Sequence, residues 1–138
     1  MKFSLCNEMF KDQTLVETCS ISKRLGYHGL ELAPFTLAAD ARDITPGQKI
    51  ETRDIIEDHG LEVVGLHWLF VGPKGLHMTT PNEDTFNQTK DYLNTLIDLC
   101  ADLGGQVLVV GSPNQRSLVD GQTHAGAWKR MGALFNSV

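Results

Sequence analysis

Asp58-His59-Gly60-Leu61-Glu62-Val63-Val64-Gly65-Leu66-His67-Trp68, residues 58–68, holds a helix end, a glycine stop and a β-rich run in one short passage. Gly60 stands where a helix closes on a left-handed residue, and the run from Val63 to Trp68 starts almost at once. Working outward, the same unit recurs. Short apolar runs at Phe3 to Cys6, Gly29 to Leu32 and Val107 to Val110 join it, with longer stretches of helical periodicity between them. This is β-α repeated and not a hairpin series.

The helix boundaries are well marked. Thr14-Leu15-Val16-Glu17, Thr45-Pro46-Gly47-Gln48 and Thr80-Pro81-Asn82-Glu83 each place a hydroxyl three residues before a Glu or Gln, the capping-box spacing. Pro46 and Pro81 then fall at the first helical position, where no NH is needed. Gly26, Gly60 and Gly104-Gly105 supply the stops. The third helix is the clearest, with Phe86, Leu93, Leu96, Ile97, Cys100 and Leu103 on one face. A fourth is predicted from Thr123 to Phe135, with Trp128, Met131, Leu134 and Phe135 as its stripe.

Alternating strands and capped helices imply parallel strands and right-handed crossovers, hence a doubly wound sheet or a barrel. The turn after the first strand, Asn7-Glu8-Met9-Phe10-Lys11-Asp12, contains no glycine. A dinucleotide-binding or P-loop fold loses its main support there.

Composition narrows the class. The 138 residues are 41% hydrophobic and 21% charged, which fits one globular domain over residues 1–138. Seventeen acidic and twelve basic side chains give a net charge of -5, which offers no electrostatic attraction to nucleic acid or anionic lipid. No apolar run approaches the roughly 18 residues that span a bilayer, and the start reads as no signal peptide, so a cytoplasmic protein is expected. Cys6, Cys19 and Cys100 are an odd number without C-x-x-C spacing, and are expected to be reduced.

Three passages resemble one family. Asp58 to Trp68 resembles the "His-Gly-Leu, strand, Gly-Leu-His" passage of the xylose isomerase-like TIM barrels. Gly26-Tyr27-His28-Gly29-Leu30-Glu31-Leu32 resembles their Gly-aromatic-x-Gly-apolar-Glu pattern, and Ala101 to Pro113 their approach to the fourth strand. Within that family the chain resembles the sugar phosphate isomerases/epimerases. The resemblance implies an α/β fold of parallel (β/α) repeats, TIM-barrel type. A full barrel needs about 250 residues and eight strands, so four β/α units make a half barrel, truncated relative to the family.

The resemblance also implies a chemistry: proton transfer through an enediolate on a small sugar or sugar phosphate, with a divalent metal (Mn, Mg, Co or Zn). In the family that metal is held by Glu, Asp, His and Glu at the ends of later strands. None of those positions is carried over, and no metal ligand is expected in this chain. Two other readings stay open. One is an endonuclease IV-like DNA-repair barrel, which needs a basic face and further zinc histidines. The other is a non-catalytic half barrel that self-associates, as a homo-oligomer or with a missing C-terminal half.

Barrel chemistry sits at the carboxyl ends of strands, on residues whose parity points inward. Alternation puts Val63, Gly65 and His67 on one face of the third strand, and Val64, Leu66 and Trp68 on the other. His67 is then a candidate catalytic residue, bonding a sugar hydroxyl or carbonyl, or else a histidine bonded to a neighbouring strand. Glu31 either orients a catalytic neighbour or anchors a loop. For substrate binding the candidates are Cys6 and Asn7 at the first strand end, Trp68 as a stacking surface, and Ser112 and Arg116 after the fourth strand. Each has a plainer structural alternative. Residues 70–80 are long enough to form a lid beside His67.

Overall fold

The computed structural model describes all residues, 1–138. Four parallel strands alternate with four helices: β1 (Ser4–Cys6), α1 (Leu15–Arg24), β2 (Gly29–Leu32), α2 (Pro46–Asp58), β3 (Glu62–Leu66), α3 (Glu83–Asp102), β4 (Val107–Leu108) and α4 (His124–Phe135). The sheet order is β1-β2-β3-β4, every neighbouring pair parallel. Sequential parallel order with helices between is half of a (β/α)8 barrel. No helix is long and apolar enough to cross a membrane.

The expected caps form at α1 and α2. Thr14 and Thr45 each accept the N3 backbone NH, while Glu17 and Gln48 reach back to the cap. The third box is corrected. Asn82, not Thr80, caps α3, accepting the Thr85 NH at 2.8 Å. Glu83 turns instead to Arg130, 2.8 Å from its guanidinium, so it cannot close a box with Thr80. Gly26, Gly60 and Gly104 have φ of +84°, +64° and +83°, the left-handed region that makes glycine the natural stop.

The core lies between sheet and helices. Leu5, Leu30, Leu32, Val63 and Leu66 meet Cys19, Ile56, Leu96, Leu99 and Leu103 there. Val63 is on this side because the pairing of β2 with β3 is irregular. Leu30 pairs with Val63 but Glu31 with Gly65, which leaves Val64 as the extra residue of a bulge. Strict alternation therefore fails on β3. Val63 and Leu66 share the helix side, and Val64 places its Cγ2 beside Gly29, 2.9 Å from where a Cβ would stand.

Two strands end earlier than the apolar runs predict. On β3 the ladder bond from His67 NH to Leu32 C=O is kept, but Trp68 has φ +56° and turns the chain away. On α4 the expected stripe is corrected: Leu134 is fully buried and Ala127 beside it, whereas Trp128 is 74% exposed and Phe135 40%. The helix is seated by its polar side as well. Arg130 donates to Thr80 C=O at 3.0 Å and lies 3.9 Å over the Phe86 ring.

Candidate active site

Glu31 and His67 come together on the face of the sheet away from the helices. Glu31 is the third residue of β2 and pairs in register with Cys6 on β1 and Gly65 on β3. Glycine at 65 leaves no side chain beside the carboxylate. His67, just beyond β3, is held by its own backbone NH on Leu32. Glu31 Oε2 then stands 3.6 Å from His67 Nδ1, close enough for charge to be felt and too long for a hydrogen bond. Nδ1 is buried and has no hydrogen-bond partner. The imidazole is 32% exposed as a side chain, so its open edge is the Nε2 side.

Three further groups surround the pair. Ser4 Oγ donates to Glu31 Oε1 at 3.2 Å. The Cys6 thiol is half-buried, and burial first, then the Glu8 and Glu31 carboxylates, push its pKa up; a backbone hydrogen bond to Glu8 acts the other way. That keeps it a neutral thiol and a poor nucleophile. The Trp68 indole is exposed beside His67, ring centroids 5.8 Å apart and planes tilted by 30°. Ser4 went unnoticed in the sequence, although a serine two residues before Cys6 shares its strand face.

The remaining candidates make no hydrogen bond to this pair. Asn7 is buried and bonded, its amide donating to Thr36 Oγ1 and accepting from Ala33 NH, both at 2.8 Å. It lines a cavity of about 310 Å³ with Phe10, Lys11, Phe35 and Leu37. Ser112 is buried, its Oγ without a partner. Arg116 turns its Nε back to Gly111 C=O at 2.7 Å and shares a cavity of about 200 Å³ with Trp128 and Met131. Neither Glu31 nor His67 lines any of the five principal cavities, and their side chains are 28% and 32% exposed.

Residues 70–80 are not a free lid. Phe70 and Met78 are fully buried, Phe70 packed 5.7 Å from Tyr92. Met78 NH bonds Gln115 C=O at 2.7 Å, Thr79 Oγ1 bonds Ser117 C=O at 2.6 Å, and Gln122 amide bonds Thr79 C=O. The loop is thereby tied to the segment after β4.

No group of three or more His, Cys, Asp or Glu side chains assembles that could hold a metal ion. Glu31 and His67 bring one carboxylate and one imidazole together, which falls short of a metal centre on these residues alone.

Residues 19–138 match the family model described as xylose isomerase-like TIM barrel. Among solved structures, the chain is similar to 3-keto-D-glucoside 4-epimerase from E. coli (TM-score 0.70, 18% identity), covering 99% of this chain and 50% of that one. It is also similar to D-psicose 3-epimerase, crystallised with D-fructose (TM-score 0.74, 14% identity), with coverage of 99% and 47%. A xylose isomerase domain-containing protein from Salmonella typhimurium gives TM-score 0.60, 20% identity and coverage of 99% and 46%. The chain thus spans about half the length of these structures. No curated protein sequence matches it.

Proposed function

Because the chain belongs to the xylose isomerase-like TIM-barrel family, we propose that it forms the substrate-orienting half of a sugar or sugar-phosphate isomerase or epimerase site. The observation that carries this is the Glu31–His67 pair at the strand ends, with Trp68 exposed beside it. In such a reaction a proton leaves the carbon next to a carbonyl, and the enediolate is reprotonated at the neighbouring carbon or on the opposite face. His67 Nε2 accepts a sugar hydroxyl proton and returns it to the carbonyl oxygen. Glu31 stabilises the imidazolium formed in between. Trp68 offers a flat apolar surface to the ring carbons.

The divalent metal of the family has no complete ligand set among these residues, so no step is assigned to it. What favours a half site is the openness of the inner face. Phe3 near β1 and Val107 on β4 are both about half exposed at the two sheet edges, where a further parallel unit would cover them. The single domain of residues 1–138 is proposed to work against such a unit. A DNA-repair barrel wants a basic face, yet Lys2, Arg42, Lys49 and Arg130 are each engaged by a carboxylate.

The test is a titration of the protein with D-fructose and a ketose phosphate, followed by backbone amide NMR. Millimolar binding with shifts at Glu31, His67 and Trp68 is expected, and His67→Ala removes it. Saturating sugar that leaves these three signals unmoved rejects the reading.

A further inference from the structure

We infer that Ser4 is a positioning residue: its hydroxyl pins one oxygen of Glu31 so that the other faces His67 Nδ1 and fixes which imidazole nitrogen carries the proton. The inference rests on the reading of Glu31 and His67 as a site.

The geometry that carries it runs across three strands. Ser4 pairs in register with Gly29, one inward position before Glu31 on β2, so its hydroxyl reaches the carboxylate diagonally. The diagonal is clear because Gly29 carries no side chain. A Cβ there would stand 2.7 Å from Glu62 C=O and 2.9 Å from Val64 Cγ2, so position 29 has no room for a side chain. Ser4 Oγ donates to Oε1 at 3.2 Å, and Oε2 is left 3.6 Å from Nδ1.

Without that bond little holds the carboxylate inward. Glu31 is 28% exposed as a side chain, and a free glutamate carboxylate gains hydration by turning to water. Nδ1, by contrast, is buried and has no hydrogen-bond partner. The negative charge of the carboxylate oxygen 3.6 Å away therefore favours a proton on Nδ1 through space and not through a hydrogen bond. With Nδ1 protonated, the neutral ring keeps its lone pair at Nε2, on the open edge where a sugar hydroxyl would donate. Ser4 acts on the acceptor nitrogen through Glu31, without touching substrate.

The experiment is long-range 1H–15N NMR of the histidine side chains at pH 8, where an ordinary imidazole is neutral. His67 is assigned by its disappearance in His67→Asn. Wild type is expected to hold His67 mainly as the Nδ1–H tautomer. Ser4→Ala lowers the Nδ1–H to Nε2–H ratio several-fold, toward the value of Glu31→Gln, and Ser4→Thr, which keeps the hydroxyl, restores it. If Ser4→Ala fails to fold, Ser4→Cys puts a weak S–H donor at nearly the same volume and must show the same loss.

A Ser4→Ala spectrum identical to wild type, with Glu31→Gln changed, overturns the role of Ser4 and leaves the Glu31–His67 pair standing. A Glu31→Gln spectrum identical to wild type overturns both. A merely structural serine would lower stability in Ser4→Ala without moving the tautomer ratio, and that result also counts against the inference.

Discussion

Gly65 on β3 stands directly against the backbone of Val107 on β4, so close that a Cβ on Gly65 would collide with the Val107 carbonyl. The contact explains how the shortest strand of the sheet is held, and it leaves the inner face beside Glu31 bare. Gly65→Ala must push β4 outward. Overpacking of this kind costs about 1–3 kcal/mol, and here the obstacle is backbone that cannot rotate aside. A drop of at least that order in urea unfolding is expected, with amide shifts centred on Val107 and Leu108.

The cap of α3 gives a sharper test, since two residues compete for it. Asn82 takes the Thr85 NH, and Thr80 Oγ1 only accepts the Asn82 NH at 3.2 Å. Asn82→Ala is expected to cost about 1 kcal/mol, with Asn82→Ser or Asn82→Asp recovering most of it. An Asn82→Ala variant as stable as wild type would return the cap to Thr80.

These two sites show what was legible in the sequence and what was not. Residues with one local job announced it: Gly26, Gly60 and Gly104 stop helices because their left-handed backbone is a local need, and Thr14 and Thr45 cap because their partners lie three residues on. The placement of Glu31 and His67 was legible too, each being a polar residue at or just past a strand end on the face away from the helices. Features decided between elements were hidden. The Val64 bulge is a mismatch of β2 with β3, so alternation along β3 alone sent Val63 to the wrong face. Arg130 on α4 drew Glu83 away from Thr80, and no spacing within α3 could reveal that. The exposure of Trp128 likewise depends on what lies beside α4 rather than on its own periodicity.

His77 should make stability depend on pH. It sits in the tied loop, Nε2 3.4 Å from Ser117 Oγ and Nδ1 3.4 Å from Thr79 NH, and burial lowers its pKa below the ordinary 6.5. A depressed histidine favours its neutral form in the folded chain. Its contribution is full above about pH 6.5 and is lost as pH falls from there to the folded value. The urea midpoint of wild type should therefore fall between pH 7.5 and pH 5 by more than that of His77→Gln. Parallel curves for the two proteins would show that His77 takes up no extra proton on unfolding.

Trp68 gives the last prediction, because its backbone and its side chain make opposite demands. A φ of +56° is a true outlier for a bulky residue, and the left-handed region costs a residue with a Cβ about 1–2 kcal/mol relative to glycine. The indole is 40% exposed, so packing repays little of this. At an ordinary position alanine is more stable than glycine by roughly 0.5–1 kcal/mol. At position 68 the order should reverse, with Trp68→Gly unfolding at higher urea than Trp68→Ala, since both lose the same ring and only glycine relieves the backbone. Both should lose the sugar-induced shifts at His67 equally, because the stacking surface is gone in each. Alanine proving the more stable of the two would mean that the turn after β3 relaxes without strain, and a retained sugar response in Trp68→Gly would remove the indole from the binding surface.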